Sequence, residues 1–182
     1  MPSQLADRLR LACACPIVVE LRQQDEDDQA FLRQLFVSRR WVETCAMPGW
    51  DDQQRLAFLH QQADLQQRHY AQYHPDAAFL IVEHQGQAVG RFCVSANGSA
   101  LRLVDVALLP EWQGLGIGSS LLRAVITVAE HSASPVELTV DALSPARRLY
   151  HRHGFLALAD QGLSLQMRRP AGQHGEPAPM TG

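Results

Sequence analysis

The chain has 182 residues, a formal net charge of −3, 46% apolar residues and 19% charged ones. That length suits one domain with a substantial core, and the balance is that of an ordinary globular chain. The small negative charge gives no basis for binding nucleic acid or an anionic membrane surface. No run approaches the roughly 20 apolar residues needed to span a bilayer.

The acidic surplus lies in the first hundred residues. It is either solvated helix face or the side on which a cationic acceptor sits. Cys13, Cys15, Cys45 and Cys93 have neither disulfide nor zinc spacing. Cys13 and Cys15 flank one alanine, too close for a comfortable bridge. Free thiols in a reducing, cytoplasmic compartment are expected. Arg8 and Arg10 precede no long apolar run, so the N-terminus does not read as a secretory signal.

In chain order, residues 1–15 read as a short helical lead or a loose tail. Pro16 to Arg22 (PIVVELR) reads as a first strand. Asp25-Glu26-Asp27-Asp28 places negative charge where a helix begins, and Phe31, Leu32, Leu35 and Phe36 give that helix an apolar face. Met47-Pro48-Gly49 breaks the chain. A second helix is predicted from about Asp51 to Tyr73, ended by His74-Pro75. Ala78 to His84, Gln87 to Ser95 and Leu101 to Leu109 read as an antiparallel meander, with Asn97-Gly98 the strongest turn signal.

Pro110 stops the third of these strands, because it has no N–H to donate. Gln113-Gly114-Leu115-Gly116-Ile117-Gly118-Ser119 then opens into a helix carrying Leu121, Leu122, Val125, Ile126 and Val128 at helical spacing. Glycine on alternate positions allows a tight turn and leaves room for a ligand. The free N–H groups of the first helical turn and the dipole behind them favour a phosphate. The plainer reading is a tight strand-to-helix corner and nothing more. A dinucleotide fingerprint fits worse, since Ser119 stands where its third glycine should be. A Walker loop is excluded, because the chain has no lysine.

After that helix, Pro135 to Asp141 reads as a strand, and Ser144-Pro145 as the start of a short helix reaching His153, with Gly154 as its stop. Phe155 to Ala159 and Leu163 to Arg168 read as the last strands. From Pro170 the composition cannot bury a core, so residues 170–182 are expected to be a disordered tail. The domain proper is expected over residues 16–169. His151 and His153, two apart on a helix, face different ways, so no metal site is expected there.

Gln113 to Gly118 resembles the Q/R-x-x-G-x-G/A signature of the GNAT superfamily of N-acetyltransferases. Ser144 to Phe155 (SPARRLYHRHGF) is similar to that family's N-x-A-x-x-L-Y-x-x-x-G-F segment, with Leu143 or Ser144 where the asparagine usually stands. The resemblance implies an α/β (α+β) fold in the order βααβββαβαββ. It would have a mixed, mostly antiparallel sheet of about seven strands with four helices. The strand before the glycine loop and the strand after its helix would splay apart to admit acetyl-CoA.

The resemblance also implies an enzyme that moves an acetyl group from acetyl-CoA directly to a primary amine. The acceptor would be a small molecule or a peptide, and the protein a monomer or homodimer. A CoA-binding regulatory module on the same fold is the alternative. The loop N–H groups of Gly114 to Ser119 would hold the CoA pyrophosphate, and Gln113 and Ser144 are further expected CoA-binding residues. Backbone groups of Val106, Ala107 and Leu108 would hold the pantetheine arm as an added strand.

Tyr150 would donate to the leaving thiolate, with a phenol near pKa 10 against a thiol near 8.5; its other reading is a core aromatic. Asp105 would take the proton of the amine, directly or through water, or would serve as a structural acceptor for backbone N–H groups. Arg39, Arg40, Trp41, Glu43, Trp50, Asp51 and Tyr70 are the candidates for an acceptor pocket. Aromatic and acidic side chains among them would suit a cationic amine.

Overall fold

The structure is a computed structural model and describes residues 2–160 and 162–172. The apolar runs between residues 78 and 108 form its centre. They pair as the antiparallel strands β2 (Ala78–His84), β3 (Gln87–Asn97) and β4 (Ala100–Leu108). With β1 (Glu20–Gln23), β5 (Val136–Asp141), β6 (Leu156–Asp160) and β7 (Ser164–Arg169) they make a seven-stranded sheet in the order β1-β2-β3-β4-β5-β7-β6. Every pairing is antiparallel except that of β4 with β5.

Five helices are present: α1 (Pro2–Ala12), α2 (Gln29–Cys45), α3 (Asp52–Tyr73), α4 (Ile117–His131) and α5 (Ala146–Arg152). The meander and the fold class agree with the sequence reading. The helix count is one higher, because the N-terminal stretch is a packed helix. Leu5, Ala6 and Leu9 sit on one stripe of α1 and are buried in the same core as α4. Arg8 Nη2 donates to the Val128 carbonyl of α4 at 3.0 Å. The helical one of the two sequence readings holds, and with three buried side chains this helix packs in the core.

The first strand is shorter than predicted and begins at Glu20. Its partner β2 ends at His84, opposite Gln87 across the turn, so residues 16–18 run past the end of the strand they would pair with. Val18 instead offers its carbonyl to His84 Nδ1 at 2.7 Å. The acidic run after β1 is a short 3₁₀ turn, Glu26–Asp28, capped by Asp25. Asp28 is buried there between Nη1 and Nη2 of Arg22, at 2.7 and 2.6 Å, which holds its carboxyl below the usual range. Asp51 caps α3 as the sequence suggests, in a reciprocal pair with Gln54. The expected disorder from Pro170 onward falls largely on residues 173–182, outside the described residues.

The main irregularity lies in β4. Cys93 of β3 faces Asp105, but the next residue, Val94, faces Leu103, so Val104 is one residue too many. Such a bulge reverses the alternation of side chains along a strand. Before it, Leu101 and Leu103 face the α1/α4 core. After it, Val106 and Leu108 face that core, while Ala107 packs with Leu35 of α2 on the other face. Asp105 is thereby turned toward α2 and α3. At the same point β5 leaves: it pairs with β4 only at Leu101, Arg102 and Leu103. Beyond them, β4 has a free edge.

The upper end of β4 is held tightly to β3. Gly90 lies opposite Leu108, and a Cβ there would sit 2.5 Å from Leu108 Cδ2 and 2.6 Å from the Ala107 carbonyl oxygen. The backbone oxygen cannot move aside without breaking the ladder. Gly90→Ala is therefore expected to destabilise the protein by roughly 1–3 kcal/mol, as overpacking does. Thermal melting checks it; an unchanged melting temperature would mean that β3 and β4 separate there freely.

Candidate active site

A short 3₁₀ turn, Pro110–Trp112, carries the chain from β4 into the glycine loop. Gln113 spends its side chain on this corner: Nε2 donates to the Leu108 carbonyl at 2.9 Å. Gly116 then takes a left-handed conformation, φ 85°, as the residue that begins α4, and no side chain caps that helix. The backbone N–H groups of its first turn are left for a ligand, at the positive end of the dipole. A side chain at Gly116 would meet Pro16 Cγ at 3.1 Å, so the segment after α1 backs the loop.

The loop, the free edge of β4 and the start of α5 enclose one cleft of about 790 Å³. Of the predicted phosphate and pantetheine residues, Val106, Ala107, Leu108, Gln113, Gly114, Gly116, Gly118, Ser119 and Ser144 line it. Leu115 and Ile117 do not. Ile117 is fully buried in the core and Leu115 faces outward, so each has only its backbone to offer. Ser144 Oγ accepts from the Ala146 N–H at 3.2 Å, in the turn that leads into α5 at the cleft rim.

Tyr150 lines the same cleft and is 6% exposed. Its ring meets Phe155 edge-on at 5.8 Å, which fixes its direction. Burial, with a smaller contribution from Asp105, pushes the phenol up to about 12, while Arg39 acts the other way. Among the described residues no group hydrogen-bonds its hydroxyl. The aromatic is thus both core and cleft wall, with a protonated phenol at neutral pH.

Asp105 is nearly buried and faces two guanidiniums. Arg39 Nη1 of α2 is 3.4 Å from Oδ1, and Arg91 Nη1 of β3 is 3.8 Å from Oδ2. Arg91 is 2% exposed and stacks on Tyr70 at 5.0 Å and Phe79 at 5.7 Å. Sequence reasoning missed Arg91 as a site residue. Its signal was there: an arginine stands between apolar residues inside a predicted strand, two before Cys93.

Of the acceptor candidates, only Arg39 reaches the cleft. Arg40, Glu43 and Tyr70 line a separate groove of about 900 Å³ between α2 and α3 that touches neither the loop nor Tyr150. Trp50 packs edge-on against Phe58, and Asp51 is the cap of α3.

A sequence model of the acetyltransferase (GNAT) family matches residues 39–155, from Arg39 through the glycine loop to Phe155. The chain belongs to the GNAT family. No curated protein matches it. Among solved structures it is similar to the PaiA N-acetyltransferase of Thermoplasma acidophilum in complex with coenzyme A, with 16% identity and a TM-score of 0.64 over 85% of this chain and 99% of that one. It is also similar to PH1933 of Pyrococcus horikoshii OT3, with 15% identity and a TM-score of 0.68 over 86% and 100% of the two chains. Ard1 of Thermoplasma volcanium aligns over 86% of this chain and 100% of its own, at 17% identity and a TM-score of 0.58. At these identities the likeness is one of fold.

The GNAT loop can be tested at Gly118. It lies in the first turn of α4, lines the cleft, has no positive φ, and an added Cβ would meet nothing within 4 Å. Gly116 serves less well, since a side chain at its left-handed φ costs roughly 1–2 kcal/mol by itself. Gly118→Val is expected to leave the melting temperature of the free protein nearly unchanged and to abolish its stabilisation by CoA. Equal CoA-induced shifts in both proteins would place the phosphate site elsewhere.

Proposed function

We propose that this GNAT protein transfers an acetyl group from acetyl-CoA directly to an amine. The observation that carries the reading is the single cleft shared by an uncapped helix start, a free strand edge and the phenol of Tyr150. Acetyl-CoA, when bound, supplies a thioester whose carbonyl carbon the amine nitrogen attacks; the C–N bond forms, the C–S bond breaks, and the amine gives up its proton. The residues present fit such a substrate. The N–H groups of Gly118 and Ser119 suit a pyrophosphate. The edge of β4 that faces away from β3 at Val106 to Leu108, where β5 no longer pairs and Gln113 takes the Leu108 carbonyl, suits the pantetheine amides, as an added strand would.

Tyr150 donates a hydrogen bond to the sulfur as negative charge grows there. With a phenol at about 12 and a thiol near 8.5, the proton is shared with the sulfur more than surrendered to it. Asp105, facing Arg39 and Arg91, is read as their counter-ion first. Its further use, as acceptor of the amine's proton through a water, remains part of the same proposal. No helix among the described residues is long and apolar enough to cross a membrane. The free thiols of Cys13, Cys15, Cys45 and Cys93 fit a reducing cytoplasm.

Thiol release from acetyl-CoA with a panel of amines tests the activity; release with none of them refutes it. Tyr150→Phe should keep the ring packing and lower kcat by roughly 10²–10⁴-fold, the range for a positioned acid or base. KM for acetyl-CoA should barely change, because the hydroxyl matters only as charge develops. Normal turnover in the variant would leave Tyr150 a structural aromatic.

The pH profile gives a second check. A phenol raised to about 12 stays protonated throughout the assay range. The rate should climb as the amine loses its proton and then level off. A fall between pH 8 and 10 would mean that Tyr150 titrates in its ordinary range.

A further inference from the structure

The charges beside the Arg39 wall of the cleft do not balance. Asp105 faces both Arg39 and Arg91, so two guanidiniums share one carboxylate. The other side chains around Arg91 supply no second negative charge. Burial raises the Cys93 thiol to about 12 and lifts the Tyr70 phenol as well, so both are neutral at physiological pH. Gln66 and Gln67, which share the small void beside Arg91 and Asp105, are neutral too. The nearby carboxylates are committed elsewhere: Glu43 to Arg40, Asp64 to Arg33, and Asp28 to Arg22.

A buried cation without a counter-ion is costly, and proteins pair such charges. Arg91 is buried, and its Nε and Nη2 have no hydrogen-bond partner. Arg39 is the member of the trio that meets the cleft, with a side chain 37% exposed. It makes a single hydrogen bond, the 3.4 Å contact with Asp105, so most of its N–H groups are free among the described residues. The cleft wall carries Arg39 and Arg152 and no carboxylate. The phosphates of CoA account for a cation near the glycine loop. They do not account for one beside Tyr150, where the donor is an uncharged thioester.

We infer that the acceptor is an amine that also carries a carboxylate, and that Arg39 binds this carboxylate. The inference rests on the acetyltransferase reading above and narrows it. Of the two sequence-based readings of the acidic surplus it sets aside the cationic acceptor: Asp25, Asp28, Asp51 and Asp64 are spent on caps and arginine pairs, and the cleft wall carries arginines and no carboxylate. An acceptor carboxylate on the fork of Arg39 supplies the missing negative charge. Arg39 is then the residue that determines specificity, while Asp105 and Arg91 hold it in place.

The test compares acceptors that differ by the carboxylate alone: phenylalanine with phenethylamine, tyrosine with tyramine, and lysine with cadaverine. Thiol release gives kcat and KM for each, and calorimetry with the CoA-loaded protein gives binding. The wild type is expected to favour the carboxylated member by roughly 10–100-fold in kcat/KM, mainly through KM, as a charge-assisted pair would. Arg39→Gln should bring that ratio toward one, and Arg39→Lys should keep part of it. A merely structural loss would lower both members alike and leave the ratio standing.

The inference is overturned if the wild type favours the decarboxylated amines or treats both alike. It is also overturned if Arg39→Gln leaves the preference intact. Thiol release with no amine would refute the acetyltransferase reading separately. Calorimetry then decides the carboxylate site: a preference lost in Arg39→Gln supports it, and no preference overturns it.

Discussion

One extra residue in β4 governs this molecule. Val104 has no partner on β3, and that reverses which side of the sheet each later residue faces. Without it, Asp105 would point into the core of α1 and α4, where no charged partner waits. With it, Asp105 reaches Arg39 and Arg91 on the opposite face. The same point is where β5 turns away, because a bulge adds local twist that a parallel neighbour cannot follow. A free strand edge and a reoriented carboxylate thus have one cause.

The cleft that results has two ends with different physics. At the loop end the polar groups are those of the backbone: an uncapped helix start, with glycine where side chains would intrude. Such a site binds phosphate by geometry common to many folds. At the other end the wall carries side chains of α2 and α5, namely Arg39 and Tyr150, with Asp105 and Arg91 behind Arg39. Shared fold fixes the first end. The second depends on which residues this particular chain places there, so neighbours of 15–17% identity inform the fold and leave the acceptor to this chain's own residues.

Burial sets the chemistry of the second end. Tyr150 is held by Phe155 and shielded from water, which keeps its phenol protonated at the cleft wall. Arg91 is shielded as well, between Tyr70 and Phe79, and cannot exchange its charge for hydration. A low-dielectric setting makes each unpaired charge matter more than it would at the surface. The backing of the loop by Pro16 links the N-terminal helix to the same site, since the chain after α1 must pass Gly116.

Local sequence determined a good deal by itself. The spacing of apolar residues and the turn dipeptides placed β2, β3, β4 and α4 within about a residue or two, and Asp51 and His74-Pro75 bounded α3 correctly. The glycine loop and the segment ending in Leu149-Tyr150 and Gly154-Phe155 were legible because their chemistry is contiguous in the chain. The packing of α1, the late start of β1 and the trio of Arg39, Arg91 and Asp105 were not legible in this way. Each depends on a partner distant in sequence: Val128 for Arg8, the end of β2 for β1, and α2 for a carboxylate on β4. The bulge is the clearest case. Leu103-Val104-Asp105 reads as plain alternation, and only its register against β3 decides which residue is left over and therefore which way Asp105 faces.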